Sequence, residues 1–377
     1  MAVRNTIDTM LTLETAAVNS LILDATYQHD NPVQSQLGIY KVITGRSKVK
    51  MTHLKSPSFS LQPKTSCNDW NPNVRVNLYS SELETCKFEL NGEQCPDEFD
   101  EKCASFIKDG RASSEAGRSA ATVNDIEAAM ILVLRETLGS DFYRIMNFGS
   151  TGFAAQVAAG TYSLAQYSPE HAARIVSMMG KCDGIWAEIA ERATLADEEQ
   201  KVRLFDTYDG TDNAVDPANI TDFMDDMFNN SHPLLQAWDD DMKVWLLQPN
   251  AYNALIKYYR SLNVESAMQL LMNGTPIKNA TTYNGIAVVK NNDWNMFDYE
   301  TGKNNKNARI MLTAKENLTV LMNAETIEGF GDASFIVQKS PLIRDKGKTF
   351  MYGAWGIKAG IAQPQLISAA KNSVALP

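Results

Sequence analysis

Hydrophobic positions along this 377-residue chain change period from two to about 3.6 and back, and each change marks a new element. From Gly38 to Leu90 the chain reads as extended. Val42 and Ile43 open a β-prone run, Val49 and Met51 alternate with Lys48 and Lys50, and Val74, Val76 and Leu78 alternate with Arg75 and Asn77. Such alternation places the apolar members on one face of a strand. Between the runs lies SPSFSLQPKTSCNDWNPN, rich in Ser, Pro and Asn. Two extended runs bridged by so long a turn-prone stretch describe a two-stranded arm that calls for a partner to cover it. The segment before Gly38 mixes short apolar runs with polar interruptions and carries a turn signal at Asp30-Asn31-Pro32.

The helical period takes over near Thr122, where Thr122 and Asp125 give a capping-box-like start. Ile126, Ala129, Met130, Val133, Leu134, Thr137 and Leu138 follow on one face, and Phe142, Ile145 and Met146 continue it past Gly139-Ser140 until Gly149. The spacing predicts a helix of roughly 25 residues, about twice the usual length, with Gly139 as the place for a bend. A Gly/Ala/Ser-rich passage then leads to short helices around His171–Met179 and Ile185–Arg192. Asp216-Pro217 predicts a further helix start, with Asp as cap and Pro at the first position, and Ile220, Phe223, Met224 and Met227 form its apolar face. A strand at Val244–Leu247 precedes a helix launched by Pro249, carrying Tyr252, Leu255, Ile256 and Tyr259. Strands then dominate: Gly285–Val289, Arg309–Thr313, Leu318–Met322, Phe335–Gln338 and Trp355–Ile361. The class is α+β. No regular βαβ alternation is present, which argues against a doubly wound nucleotide-binding fold.

Composition narrows the function. With 44% hydrophobic and 21% charged residues, the chain has the make-up of an ordinary globular protein. No apolar stretch is long enough for a membrane span, and the first residues lack the basic and apolar regions of a secretory signal, so a cytoplasmic origin is expected. A net charge of −10 makes general nucleic-acid binding unfavourable.

Catalytic chemistry leaves no motif. Phosphate-binding, dinucleotide-binding, serine-hydrolase and zinc-protease signatures are all missing from the sequence. His29, His53, His171 and His232 are scattered, so no imidazole pair could share a helical face, and each reads as a surface or packed histidine. Cys67, Cys86, Cys95 and Cys103 fall in one stretch, but nineteen, nine and eight residues apart, without the close pairs that zinc needs. Together with Cys182 they are expected to be reduced thiols. Asp206, Asp209 and Asp212 lack the calcium-loop spacing, and Asp239-Asp240-Asp241 reads as a charged turn. An enzyme whose carboxylates Asp206, Asp209 and Asp241 converge only in three dimensions is the alternative from another functional class. No catalytic, cofactor-binding or metal site is expected.

The order of elements supplies what motifs do not. The run WLLQPNAYNALIKYYRSL (245–262), followed after a variable stretch by TYNGIAVVKNNDW (282–294), resembles the strand, helix and strand unit of major capsid proteins of tailed double-stranded DNA phages. Ala287 stands where proline is frequent in that family. The resemblance extends over most of the chain and implies an HK97-like fold. Its parts would be an N-terminal arm (1–38), an extended two-stranded loop (39–92), a peripheral domain (93–184 and 323–377) with a spine helix (122–149), and an axial domain (185–322). It implies self-assembly into hexamers and pentamers of an icosahedral shell around DNA, without sequence-specific binding, in the virion, after assembly in the host cytoplasm. It also implies a portal and auxiliary capsid proteins as partners. The arm-like region begins early, so a separate scaffolding protein and no large maturation cleavage are expected. Lys48, Lys50 and Lys55 are read as solubilising residues rather than crosslinkers. An encapsulin-type compartment, which shares the fold but encloses proteins, is the nearest alternative.

Overall fold

A computed structural model of the chain describes residues 11–14, 37–55, 77–94, 138–198, 200–207, 216–265, 268–272, 275–301, 308–324, 333–339 and 349–371. The first strands are β1 (Leu11–Glu14), β2 (Tyr40–Thr44), β3 (Lys48–Lys55), β4 (Asn77–Glu84) and β5 (Cys86–Gln94). A helical segment, α1 (138–148), is followed by α2 (Phe153–Ala158), α3 (Pro169–Met179), α4 (Ile185–Ala193) and the strand β6 (Arg203–Asp206). Then come α5 (Ile220–Asn229), α6 (Pro233–Ala237), β7 (Lys243–Leu247), α7 (Pro249–Ser261), β8 (Gln269–Met272), β9 (Thr275–Tyr283), β10 (Ile286–Lys290) and α8 (Asn292–Glu300). The chain closes with β11 (Ile310–Ala314), β12 (Leu318–Ala324), β13 (Ala333–Lys339), β14 (Thr349–Ile361) and β15 (Ile367–Lys371).

A seven-stranded mixed sheet runs β6-β15-β11-β7-β10-β9-β8. Every residue of β7 is buried, because both of its faces are covered. Val244 and Leu246 point into one core, with Met311, Ile367, Trp294 and Phe297. Trp245 and Leu247 point into a second, with Ile220, Met224, Leu255 and Tyr259 from α5 and α7. A strand covered on both faces needs apolar residues at every position, so its sequence shows no alternation. Pro249 stands in the first turn of α7, and the last residues of that helix are tied back to the sheet by Tyr259, whose hydroxyl donates to the Thr282 carbonyl at 2.7 Å.

The second sheet is built around β14. Its first part pairs with β13 and its later part with β12, both antiparallel, while β5 pairs along residues 349–357. The outer strands are β1 on β13 and β2 on β12, the latter parallel. Ile357, Ala359 and Ile361 pack with Phe142, Met146, Ile185 and Ile189 from α1 and α4 in the larger core.

Most expected elements are present within a few residues. The helix expected over 122–149 is described only from residue 138, and there it runs through Gly139-Ser140 as one helix to 148. Its residues Phe142, Ile145 and Met146 are buried, as their spacing requires. Asp216 does not cap α5. Its carbonyl accepts from the Asn219 and Ile220 amides, so Asp216-Pro217 opens a turn and the helix begins at Ile220. The last part of the extended reading, up to Leu90, divides into β4 and β5, because Thr85 interrupts it and β5 leaves the arm to join β14.

Candidate functional site

β3 and β4 form a two-stranded ribbon that pairs with no other strand among the described residues. Eight residue pairs run from Lys48 opposite Glu84 to Lys55 opposite Asn77. This register sorts the two faces. Lys48, Lys50 and Thr52 lie with Glu84, Glu82 and Ser80, all exposed. Val49 and Met51 lie with Ser81 and Leu83 on the other face, which is half-buried and ends in the buried Leu83. Lys48 Nζ reaches Glu82 Oε1 at 2.9 Å, and this hydrogen bond holds the Lys48 ammonium above its ordinary value. The pair is more than half exposed, so water screens it. An isolated two-stranded ribbon is marginal in water, and its free edges invite another strand or surface.

The root of the ribbon is built more firmly. The Thr85 amide donates to the Ser47 carbonyl at 2.9 Å and closes the two strands. Thr85 and Leu83 lie on β14 at Gly356 and Gly360. A Cβ on Gly356 would stand 2.6 Å from Thr85 Oγ1 and 2.8 Å from Thr85 Cβ, and one on Gly360 would meet the Leu83 side chain. These glycines are close-approach residues, the reason a strand interior tolerates them. Beside Gly360, Glu188 accepts from the Ile361 amide at 3.2 Å and from Arg192 Nε at 2.7 Å. Burial pushes its carboxyl above the ordinary value, against the pull of Arg192.

Cys86 and Cys182 are joined by a disulfide across 96 residues, which corrects the expectation of reduced thiols at these two positions. The reason lies in the fold. β5 carries Cys86 along β14, and the α3–α4 link carries Cys182 to the same place, their Cα atoms 6.1 Å apart. Sequence spacing gave no sign of a partner so distant. Cys67, Cys95 and Cys103 lie outside the described residues.

A buried polar joint sits where the end of β7, α8 and the start of β11 meet. Asp298 and Arg309, with 1% and 4% of their side chains exposed, pair at 2.7 Å. Gln248 Nε2 donates to Asp298 Oδ2 at 2.8 Å, and the Arg309 amide donates to Gln248 Oε1 at 3.0 Å. The Arg309 guanidinium also lies over Phe148 of α1 at 4.7 Å and Trp186 of α4 at 5.8 Å. Nearby, Trp294 Nε1 donates to Asn147 Oδ1 at 3.3 Å. Sequence reading missed this joint. Its members come from the end of β7, α8 and the start of β11, and no local pattern connects them.

The proposed carboxylates are not brought together. Asp206 stands opposite Lys371 in the register of β6 and β15, next to Ala370, Ile310 and Leu247 at one end of the seven-stranded sheet. Asp241 lies in the turn before Lys243, at the opposite end of β7. Asp209 lies outside the described residues. Asp240 instead pairs with Lys243 at 2.9 Å, whose buried side chain also lies over Phe228. His232 accepts from the Leu234 amide as a helix cap, and His171 stacks on Tyr167. His53 lies in β3, and His29 falls outside the described residues. Among the described residues no group of three His, Cys, Asp or Glu side chains is gathered as a metal would need, and no helix is long and apolar enough to cross a membrane.

Comparison with solved structures bears on this architecture. The chain superposes on a protein of the satellite phage P4 procapsid with a TM-score of 0.52, at 13% identity, covering 97% of this chain and 94% of the other. The fold is the HK97-like capsid fold. A capsid protein of cyanophage A-1(L) matches with a TM-score of 0.51, at 11% identity, over 90% of this chain and 91% of that one. The holo-SrpI encapsulin complex of Synechococcus elongatus gives a lower score of 0.43, at 10% identity over 90% and 86% of the two chains. No protein-family model and no curated protein sequence matches. At this identity the likeness is one of fold, the HK97-like backbone path.

Proposed function

We propose that this chain is the major capsid protein of a tailed double-stranded DNA phage, self-assembling into hexameric and pentameric capsomers of an icosahedral shell. The observation that carries the reading is the ribbon β3–β4 on an HK97-like body: it has one half-buried face and, among the described residues, no strand on either edge, so it calls for a neighbouring copy. Repeated head-to-tail contacts of this kind close into rings. The superposed phage P4 protein belongs to a procapsid, and that setting supports the same role here.

On this reading residues 1–38 are the N-terminal arm and 39–92 the extended loop, whose ribbon lies over the next subunit. Residues 93–184 and 323–377 make the peripheral domain, with the spine helix at 122–149, and 185–322 make the axial domain. The net charge of −10 lets the shell enclose double-stranded DNA without binding it tightly or by sequence. The role is structural rather than enzymatic. A separate scaffolding protein, a portal and auxiliary capsid proteins complete the particle, which is assembled in the host cytoplasm and ends as the virion capsid.

Expression of the full chain, alone and with a candidate scaffold, tests the proposal by negative-stain imaging and particle mass. Rings, tubes or closed shells holding DNA are the expected result. Shells filled with protein cargo would favour the encapsulin-type compartment. A stable monomer or dimer under every condition would overturn the shell reading altogether.

A further inference from the structure

The disulfide sits where the ribbon meets the body. Cys86 is the first residue of β5, directly after Thr85, whose amide closes the ribbon onto Ser47. Cys182 lies in the α3–α4 link with 2% of its surface exposed, and the Gly184 amide two residues on donates to the Gly149 carbonyl at the end of α1. Thus the bond fastens the root of an outlying ribbon to a link that is itself pinned to α1. Without it, the root is held to β14 by backbone pairing and by the contacts of Thr85 and Leu83 at the two glycines. Cys86 is half-buried and Cys182 buried, so Cys86 is the more accessible of the two to a small thiol or disulfide.

We infer that Cys86 and Cys182 form a redox latch on the ribbon, open as two thiols in a reducing cytosol and closed as a disulfide in an oxidising medium. The inference goes beyond the capsid reading, but its benefit to a shell rests on that reading. A subunit assembled with the latch open has a ribbon root free to adjust as it settles on a neighbour. Closing the latch after release from the cell then fixes the root. The oxidant is a small-molecule disulfide of the glutathione class. The Cys86 thiolate attacks one of its sulfurs, forming a mixed disulfide and expelling a small thiolate. The Cys182 thiolate then attacks the Cys86 sulfur, forming the protein bond and expelling the second thiolate. Two protein thiols are oxidised, and one small disulfide is reduced to two thiols.

The latch is tested on the soluble, unassembled full chain, so the result stands whether or not shells form. Cys67, Cys95 and Cys103 are replaced by serine to leave one pair. The protein is equilibrated in glutathione buffers from a cytosol-like reducing ratio to fully oxidised, then alkylated, and Cys86 and Cys182 are scored by peptide mass. Amide exchange of the peptides covering β4 and β5 is followed in the same samples. Both thiols should be alkylated in the reducing buffer and neither in the oxidised one, with exchange at the root about tenfold slower when oxidised. In Cys86→Ser, or Cys86→Ala if the first folds poorly, exchange should no longer depend on the buffer. The inference is overturned if the pair stays bonded at the cytosolic ratio or stays open when oxidised. It also fails if exchange is equal in the two states, or if the buffer dependence survives in the Cys86 variant.

Discussion

The seven-stranded sheet and the ribbon β3–β4 are both β-structure, yet they gain their stability from different places. In the sheet, β7 sends Val244 and Leu246 into one core and Trp245 and Leu247 into the other, and the chain itself supplies both covers. In the ribbon, Lys48, Lys50, Glu82 and Glu84 face solvent, while Leu83 at the root is buried. A strand is therefore not stable by virtue of its own residues. It depends on what lies over it, and on the proposed capsid reading the ribbon takes part of that cover from a neighbouring copy.

This contrast can be broken from the sheet side with the largest effect. Asp298→Ala should leave the Arg309 guanidinium buried without its carboxylate and Gln248 without an acceptor, at a cost of about 3–5 kcal/mol. Urea unfolding of the unassembled chain would show a large drop in midpoint, and an unchanged midpoint would mean that the joint does not stabilise the fold. At the seam between the regions the effect should be intermediate. Gly356→Val places a side chain against Thr85 and should cost about 1–3 kcal/mol, with a further loss of particle yield beyond what the midpoint shift explains.

Glu188 gives a pH-dependent test at the same seam. Burial raises its carboxyl above the ordinary 4.5, so the folded chain binds that proton more tightly than the unfolded chain does. The stabilisation from this proton is complete below pH 4.5 and is lost as pH rises through the raised folded value. Glu188→Gln cannot exchange the proton, so the wild-type midpoint should fall relative to the variant over that rise. Parallel pH profiles would contradict the assignment. The smallest effect belongs to the ribbon's charges. Lys48→Ala should leave the unfolding midpoint of the unassembled chain unchanged, because its partners Glu82 and Glu84 are exposed.

Legibility in the sequence followed the same division. Strands with one wet face show alternation, and β3 was readable from Val49 and Met51 set between lysines. Helix α7 was readable from Pro249 at its start and from the spacing of Tyr252, Leu255, Ile256 and Tyr259. β15 was missed because Ser368, Ala369 and Ala370 are small residues chosen to fit between strands, with little β-propensity of their own. α8 was missed because it opens on the polar pair Asn292-Asp293 and is started by the Asn291 side chain accepting from the Trp294 amide. The joint of Gln248, Asp298 and Arg309 and the pairing of Cys86 with Cys182 are contacts across the fold, which no local pattern encodes. One signal was available: Gly356 and Gly360 inside a strand-like run mark a close approach, and the approaching chain is the ribbon's root.

The central claim is that a neighbouring copy covers the ribbon. Amide exchange of the peptides spanning β3 and β4, compared between the unassembled chain and purified particles, measures that cover directly. The account predicts slow exchange of these amides in particles and fast exchange in the free subunit, while β7 is protected equally in both. Ribbon amides that exchange equally fast in both forms would contradict it.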